Sequence, residues 1–310
     1  MQQEPRKHHF DPQWYLRRFG NKDKYRIAVY DKWTHTLSIE RPMEVAFEVG
    51  LYDIDHADIP RWACEKVLSN VENHAAPAVV KATTHGLGVL SADEREAIAA
   101  FVATQLARVP SHRPAVLRQI ERTMAYGRSR LSDAEVREMA GRDLTGREIE
   151  LIRGPALRPF EPRGAMAWGV GYALNRWVDE LLTDYRWSLL VFDPAELITS
   201  DTPVRPMSER GSDGSLSVFA DIPLGPGHAL VLQSGEGGTI TAGLGGPDDW
   251  FRDSEGLPSL PEFQKLSVFR AERWLFGHPD NPLWEEIGVS AGTGLSHRPE
   301  RRGPPKAILR

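Results

Sequence analysis

Helical and strand-like patterns occupy separate parts of this 310-residue chain. A pair of short strands is predicted within residues 25–39, and apolar residues then recur at helical spacing over residues 60–185. From residue 186 the pattern changes to short runs of β-branched and aromatic residues, separated by glycine and proline. Segregation of this kind favours an α+β fold over an alternating parallel sheet. We predict a helical middle packed on a mostly antiparallel sheet, to which the N-terminal hairpin and the C-terminal half both contribute.

Local signals predict several element boundaries. Two Ser-x-x-Glu capping boxes, at residues 91–94 and 132–135, mark helix starts. A helix that begins near residue 60 is expected to end or kink at Pro77, with at most a further turn beyond it. The last helix is expected over residues 263–276.

The length is that of one large domain or of two unequal ones. We predict a single α+β domain over residues 1–295, with its helical part at about 60–185 and its β-rich part at about 186–276. Residues 296–310 are polar, basic and contain proline, so we expect a flexible tail there.

Charge and composition exclude several classes of protein. The net charge is −5, which disfavours a uniformly basic nucleic-acid binder. The single cysteine, Cys64, excludes an internal disulfide framework and a multi-cysteine zinc site. No apolar run is long enough for a transmembrane helix, and the first residues carry no apolar signal region. We therefore expect a cytoplasmic protein without a membrane partner, and leave its oligomeric state open.

Arginine replaces lysine entirely over residues 108–176, with 13 Arg and no Lys against 8 Asp plus Glu. Such a bias marks either a local anion-binding face or a genome whose codon usage favours arginine. Arg118 and Arg122 are one helical turn apart and share a face. They would bind phosphates or pair with surface acids.

A cluster of histidine, aromatic and arginine residues lies at the N-terminus. His8 and His9 stand beside Asp11, and an imidazole can serve as acid, base, metal ligand or phosphate partner. Trp14 and Tyr15 would bury against a core and hold the imidazoles in place. The alternative is a segment packed by its aromatic residues, with its histidines in solvent.

A second cluster, Thr199-Ser200-Asp201, follows an apolar strand. Ser200 would be a nucleophile if a histidine were near it, and Asp201 would bind an amine, a guanidinium or a metal. The alternative is a turn in which the aspartate accepts backbone N–H bonds.

Glu65 and Glu72 are seven residues apart, close to two helical turns, so their carboxylates would line one cleft or one solvated helix face. If His9, Glu72 and Asp201 converge, they would hold a divalent cation. The Asp-Ile-Asp-His step at residues 53–56 favours an acidic loop over a metal site.

Several of these motifs together resemble one protein family. His9, Pro12, Tyr15, Leu16 and Phe19 form the pattern His-x-x-Pro-x-x-Tyr-Leu-x-x-Phe, which resembles the opening of the domain-of-unknown-function family 4238. Further resemblance spans about residues 8–276 and departs from the family at Asp11. It includes an acidic helix at 65–72, a Gln-x-x-Arg step at 105–108, a Thr-Ser-Asp-x-Pro signature at 199–203 and a Pro-Leu step at 223–224.

The chain is more loosely similar to arginine-containing cyclodipeptide synthases, enzymes that join two amino acids carried by tRNA. That similarity implies aminoacyl transfer with aminoacyl-tRNA as partner, no cofactor, a general base and oxyanion donors. The catalytic residues it implies here are His9, Glu72, Ser200 and Asp201. The substrate-binding residues are His8, Asp11, Trp14, Tyr15 and Thr199. The residues predicted to bind RNA are Arg17, Arg18, Arg108, Arg113, Arg118 and Arg122.

Two other classes of function stay open. The first is a metal-dependent nuclease of defence or toxin type, for which the cofactor would be a divalent metal. The second is a non-catalytic module that binds a protein partner through its tryptophans.

Overall fold

The computed structural model describes residues 7–21, 25–54, 59–109, 113–140, 142–153, 162–210, 216–234, 250–251 and 260–287. The helices in these ranges are α1 (Gln13–Arg17), α2 (Ala63–His85), α3 (Ala92–Arg108), α4 (Arg113–Ser129), α5 (Asp133–Ala140), α6 (Gly146–Arg153), α7 (Pro162–Thr183), α8 (Leu260–Arg270) and α9 (Leu283–Glu286). Short 3₁₀ turns lie at Pro42–Glu44 and Leu87–Val89. The predicted tail at 296–310 lies outside the described residues.

The strands are β1 (Lys7–His9), β2 (Ile27–Asp31), β3 (Thr36–Glu40), β4 (Phe47–Val49), β5 (Tyr185–Val191), β6 (Thr199–Ser200), β7 (Arg205–Arg210), β8 (Leu216–Gly225), β9 (His228–Ser234), β10 (Trp250–Phe251) and β11 (Trp274–Gly277). They form three sheets. The first is the pair β1-β4, the second has the order β3-β2-β11-β6, and the third has the order β10-β5-β9-β8-β7. Every described pairing is antiparallel except that of β10 with β5.

The sheets confirm the predicted α+β class. The N-terminal hairpin β2-β3 joins β11 and β6 from the C-terminal half in one four-stranded sheet. The five-stranded sheet comes entirely from the second half of the chain. The helices α2 to α7 follow one another between these two groups of strands, as the segregated pattern predicts.

Helix α2 passes through Pro77, so the predicted break there is wrong. Proline has no N–H to donate to the carbonyl of Asn73, which normally costs a helix one hydrogen bond. Both residues lie on the exposed side of the helix, where solvent can satisfy that carbonyl. On the opposite side Ala75, Val79 and Ala82 are buried, and this packing holds the helix together beyond the proline.

The predicted last helix is too long at its C-terminal end. Helix α8 stops at Arg270, and Trp274–Gly277 forms strand β11 instead. This strand pairs with β2 on one side and with β6 on the other. Four residues are too few to show a strand period, so only the two partners identify it.

One large buried cluster joins the parts of the fold. It combines aromatic residues of the first described stretch, residues 7–19, with apolar residues of the helices and of the five-stranded sheet. We call residues 7–19 the N-terminal segment. The cluster includes Phe10, Tyr15, Phe101, Met166 and Trp187. The capping box at Ser91 and Glu94 fixes the start of α3, as predicted. In the described ranges, no helix combines the length and the apolar character needed to cross a bilayer.

Candidate functional site

The N-terminal segment lies along one face of α3. The guanidinium of Arg108 donates to the backbone carbonyl of His9. At the other end, the rings of Trp14 and Tyr15 lie 5.0 and 5.7 Å from the ring of Phe101. Residues 101, 105 and 108 share a helix face because they are spaced by four and three. Residues 9–15 therefore run beside this face, which we call the α3 face.

Arg108 is the centre of the polar cluster at this face. Its side chain is 2% exposed, and it donates to Glu72 Oε1 at 2.8 Å and to the Tyr52 hydroxyl at 3.3 Å. Tyr52 in turn donates its hydroxyl proton to the Arg108 carbonyl. Burial opposes the charged form of Arg108, but Tyr52 and Glu72 outweigh it and raise the pKa. Its predicted contact with RNA is therefore replaced by an internal role, because this guanidinium does not reach the surface.

Glu65 and Glu72 lie on the same side of α2, as their spacing predicts, but their surroundings differ. Glu72 is ion-paired with Arg108 and is 22% exposed. Glu65 is 20% exposed, and its Oε1 has no hydrogen-bond partner in the described part of the chain. Burial raises the pKa of Glu65, opposed by His8 and Arg108. The two carboxylates are thus electrostatically distinct.

His8 lies between two carboxylates. Its ring stacks on that of Tyr52, and its Nδ1 accepts the Tyr52 backbone N–H at 3.0 Å. Nδ1 also lies 3.8 Å from Glu65 Oε1, and Nε2 lies 3.8 Å from Asp53 Oδ1. The buried imidazole therefore faces an acid on each side.

His9 is held as a neutral imidazole. Its Nδ1 donates to the Val45 carbonyl at 3.0 Å, and its Nε2 accepts from the Gln13 amide at 3.1 Å. Burial lowers the pKa of His9 to about 4, and the positive charges of Arg108 and Lys7 add to this effect. These two hydrogen bonds fix the ring in one tautomer.

Three side chains where the N-terminal segment meets α3 carry buried polar atoms without hydrogen-bond partners. They are both carboxyl oxygens of Asp11, the indole nitrogen of Trp14 and both amide atoms of Gln105. Asp11 is 0% and Gln105 1% exposed. Burial raises the pKa of Asp11 well above its usual range, and the neighbouring Asp201 raises it further. Both causes favour the uncharged form of Asp11.

The Thr199-Ser200-Asp201 cluster is bound into the fold. Asp201 accepts the backbone N–H groups of residues 272, 273 and 274 at 2.8–3.1 Å. Ser200 bonds only to Thr202 and has no histidine partner in the described ranges. Thr199 bonds to the Tyr15 hydroxyl at 2.7 Å, and Tyr15 donates to the Pro223 carbonyl at 2.8 Å. These contacts are those of the turn alternative, and the condition set for Ser200 as a nucleophile, a histidine near it, is not met among the described residues.

The two arginines of the N-terminal segment have different roles. Arg17 is exposed and donates to Gln13 at 3.1 Å. Arg18 is half-buried and donates to the Leu224 carbonyl and to Thr83 at 2.9 Å. Arg18 therefore ties α1 to α2 and β8 and is not placed to contact RNA.

The arginines of α4 face solvent more freely. Arg113 is partly exposed and pairs with Glu48 at 2.8 Å. Arg118 and Arg122 are exposed and lie one turn apart, which leaves them accessible to a phosphate-bearing ligand.

The proposed metal ligands do not assemble. Glu72 is bound to Arg108, Asp201 accepts three backbone N–H groups, and His9 uses both ring nitrogens. Across the described ranges, no group of three His, Cys, Asp or Glu side chains has the arrangement of a metal site. Asp55 and His56 lie outside those ranges.

Several residues of the site were not among the predicted ones. Gln13, Tyr52 and Asp53 contact the two histidines, and Gln105 lies on the α3 face. Gln105 and Arg108 belong to the Gln-x-x-Arg step, whose helical spacing already places both on one face. Nothing in the sequence links Tyr52 to His8, because this contact joins residues 44 positions apart.

Comparison with known proteins gives one match. The family described as "Protein of unknown function (DUF4238)" matches residues 7–242, which include every predicted site residue. Neither a curated protein nor a solved structure matches the chain significantly. The matched region covers most of the chain, and it contains the histidine, tyrosine and aspartate motifs described above. The chain therefore belongs to the DUF4238 family.

Proposed function

We propose that the site around Arg108 transfers an aminoacyl group from aminoacyl-tRNA to an amine, as cyclodipeptide synthesis requires. One observation carries the proposal: Glu65 and Glu72 share a helix side, but Glu72 is ion-paired with Arg108, whereas burial raises the pKa of Glu65 and leaves its Oε1 without a hydrogen-bond partner in the described ranges. A carboxyl group whose pKa is raised by burial beside a charged neighbour is typical of acid–base sites. Both side chains are partly exposed, so a substrate can reach them.

Glu65 is the general base in this proposal. The acceptor amine attacks the ester carbonyl of the aminoacyl-tRNA, and Glu65 takes the proton that the amine loses. The C–O bond to the terminal ribose then breaks, and Glu65 returns that proton to the departing ribose oxygen. Its raised pKa brings the carboxylate closer to the pH at which it must accept and release a proton.

The other residues of the cluster position Glu65 and the substrate. Arg108 donates a hydrogen bond to Glu72, and His8 lies 3.8 Å from the Glu65 carboxylate. The neutral His9 is suited to a hydrogen-bonding role. Its pKa of about 4 makes it a weak base at neutral pH, so of the polar and acid–base roles open to His9 only the polar one is kept here, and Glu65 is the base.

Exposed arginines provide the contact with RNA. Arg118 and Arg122 on α4 share one face, and Arg17 is exposed on α1. Guanidinium groups contact phosphates without reading the sequence, which suits a partner that is common to all tRNAs. A tRNA substrate also places the reaction in the cytoplasm.

The test is incubation of the purified chain with charged tRNAs, followed by mass spectrometry for cyclic dipeptides. Replacement of the base by Glu65→Gln is expected to lower product formation at least about 100-fold. Glu96→Gln, at an exposed position of α3, is the matched control and should retain the wild-type rate. Absence of product with every aminoacyl-tRNA contradicts the proposal, and a wild-type rate in Glu65→Gln refutes the assigned base.

The contact with RNA is tested separately. The double variant Arg118→Gln/Arg122→Gln should raise the KM for aminoacyl-tRNA and reduce its dependence on salt, with kcat unchanged. RNA cleavage that a chelator abolishes would favour the metal-dependent nuclease instead. A protein partner captured without any turnover would favour the binding module.

A further inference from the structure

The three side chains with unpartnered polar atoms come from two elements that pack against each other. Asp11 and Trp14 belong to the N-terminal segment, and Gln105 belongs to the α3 face. The segment contacts this face through His9 at Arg108 and through Trp14 at Phe101. Asp11 lies between these two contacts along the segment, and Gln105 lies between them along the helix. We call Asp11, Trp14 and Gln105 together the amide subsite.

Buried polar atoms in folded proteins nearly always have hydrogen-bond partners. The amide subsite contains five buried atoms without one, from three side chains. Nearby polar groups are saturated by comparison: Asp201 accepts three N–H bonds, and the Tyr15 hydroxyl bonds to Thr199 and Pro223. Of the six described side chains that carry such atoms, these three contribute five of the eight atoms, and all three lie where the N-terminal segment packs on α3. A concentration of this kind is what a ligand-binding position requires.

The donors and acceptors of the subsite are uncharged. Trp14 offers an indole N–H, and Gln105 offers both an amide N–H and a carbonyl oxygen. Burial and the neighbouring Asp201 raise the pKa of Asp11 and favour its uncharged form, which has one O–H donor and one carbonyl acceptor. A complementary group must offer acceptors to the donors and an N–H to the acceptors.

Two charges at the edges of the subsite disfavour a charged ligand group. Arg108 and Asp201 both act electrostatically on Asp11; the positive charge of Arg108 repels a cation, and the negative charge of Asp201 repels an anion. In a buried site such repulsion is weakly screened. A neutral ligand group avoids both repulsions.

We propose that Asp11, Trp14 and Gln105 form a binding subsite for a neutral carboxamide group of a ligand. A carboxamide has a carbonyl oxygen for the Trp14 and Asp11 protons and an N–H for the Gln105 carbonyl. This inference concerns binding, so it stands or falls independently of whether Glu65 transfers an acyl group.

The test uses acetamide as the neutral probe, with ethylammonium chloride and sodium acetate as cationic and anionic probes of similar size. The readout is the indole ¹H–¹⁵N signal of Trp14 in the full chain, assigned with the variant Trp14→Phe. Acetamide is expected to shift this signal saturably, and the two charged probes at equal ionic strength are expected to leave it in place. Selective response to ethylammonium or to acetate overturns the proposal, as does a signal that none of the probes moves.

Substitutions at Asp11 separate a neutral acid from an ionised one. Asp11→Asn keeps a neutral donor and acceptor, so the acetamide affinity should stay within about threefold, whereas Asp11→Leu removes both and should weaken it at least about tenfold. If Asp11 binds as a carboxylate, Asp11→Asn should abolish binding instead, which contradicts the proposal.

Gln105→Leu tests the second element, with Gln233→Leu at an exposed position of β9 as its matched control. Circular dichroism and the urea midpoint show whether each variant is folded. Loss of the acetamide response in folded Gln105→Leu, but not in Gln233→Leu, is expected. An unchanged response in Gln105→Leu removes that residue from the subsite and overturns the proposal. In the wild type, absence of acetamide binding together with cyclic dipeptide synthesis would refute the subsite alone, and acetamide binding without cyclic dipeptide synthesis would refute the acyl transfer alone.

Discussion

Asp11 and Asp201 are two buried aspartates that interact electrostatically, yet their hydrogen bonding is opposite. The carboxylate of Asp201 accepts three backbone N–H groups from the turn that leads into β11. Both oxygens of Asp11 have no hydrogen-bond partner in the described ranges. Both carboxyl groups have a pKa raised by burial, to about 6 in the case of Asp201. The comparison teaches that burial and a shifted pKa do not distinguish a structural acid from a functional one, whereas the state of its hydrogen bonds does.

The same contrast separates two regions of the molecule. Around Asp201, the groups of Thr199, Ser200 and Tyr15 bond to one another or to backbone, so this region holds β6 and β11 in place. Around Arg108, the N-terminal segment and α3 present polar atoms for which the described part of the chain offers no hydrogen-bond partner. The following predictions test this difference.

The largest effect is expected for Asp201→Asn. The amide has one oxygen for three N–H donors, and its own NH₂ faces them, so the turn before β11 loses charge-assisted bonds. We expect the free energy of unfolding to fall by about 2–3 kcal/mol. Urea denaturation measures it, with the exposed Asp93→Asn on α3 as the control. A loss no greater than that of the control would show that Asp201 is not the structural member of the pair.

Acid is expected to destabilise the protein through His9. Burial lowers the pKa of His9 from 6.5 to about 4, so between these values the unfolded chain takes up a proton that the folded state refuses. The contribution of neutral His9 to the free energy of unfolding is therefore fully present above about pH 6.5 and is lost as the pH falls toward 4. After allowance for the partial exposure of the ring, we expect this loss to be about 2 kcal/mol. Urea midpoints at about pH 7 and about pH 4.5 should differ less in His9→Gln than in the wild type. Equal pH dependence in both proteins would mean that folding does not shift the pKa of His9.

Tyr15→Phe tests whether the region around Asp201, whose polar groups all have hydrogen-bond partners within the fold, is structural. The change removes the hydroxyl that joins Thr199 to the Pro223 carbonyl in a buried position. We expect a loss of about 1–2 kcal/mol in the free energy of unfolding, with acetamide binding at the amide subsite unchanged. The exposed Tyr126→Phe serves as the control. Weaker acetamide binding in a stable Tyr15→Phe would instead place this hydroxyl in the ligand site.

The smallest effect on stability is expected for Asp11→Asn. This is the same chemical change as at Asp201, but here no hydrogen bond is lost. The free energy of unfolding should change by less than about 0.5 kcal/mol in the absence of ligand. The urea denaturation series used for Asp201→Asn measures it. An equal fall in the free energy of unfolding for Asp11→Asn and Asp201→Asn would show that the two aspartates do not differ in structural role.

Much of the fold could be predicted from local sequence. The hairpin β2-β3, the helical middle and the capping box at Ser91 follow from turn residues, apolar period and side-chain caps that act within a few positions. Strand β11 could not be predicted, because its partners lie at residues 28–31 and 199–200. The continuation of α2 past Pro77 was missed for a related reason, since the burial of Val79 and Ala82 beyond it depends on packing.

The sequence predicted which residues meet at the candidate site better than it predicted what each of them does there. The motifs containing His9, Asp11, Glu72 and Arg108 do meet at the N-terminal segment and the α3 face. Their roles changed because each depends on a distant partner: Arg108 is buried by Tyr52 and Glu72, and Ser200 has no histidine beside it in the described ranges.

The sequence by itself determined the α+β class, the order of its parts and the residue types that supply the site. These are properties of local propensity and apolar period, which neighbouring residues fix. Only the tertiary structure decided that the carboxyl group of Asp201 has hydrogen-bond partners and that of Asp11 has none among the described residues. The physical reason is that a buried carboxyl group is satisfied by whichever N–H groups the fold brings to it. The three donors of Asp201 lie 71 to 73 positions along the chain.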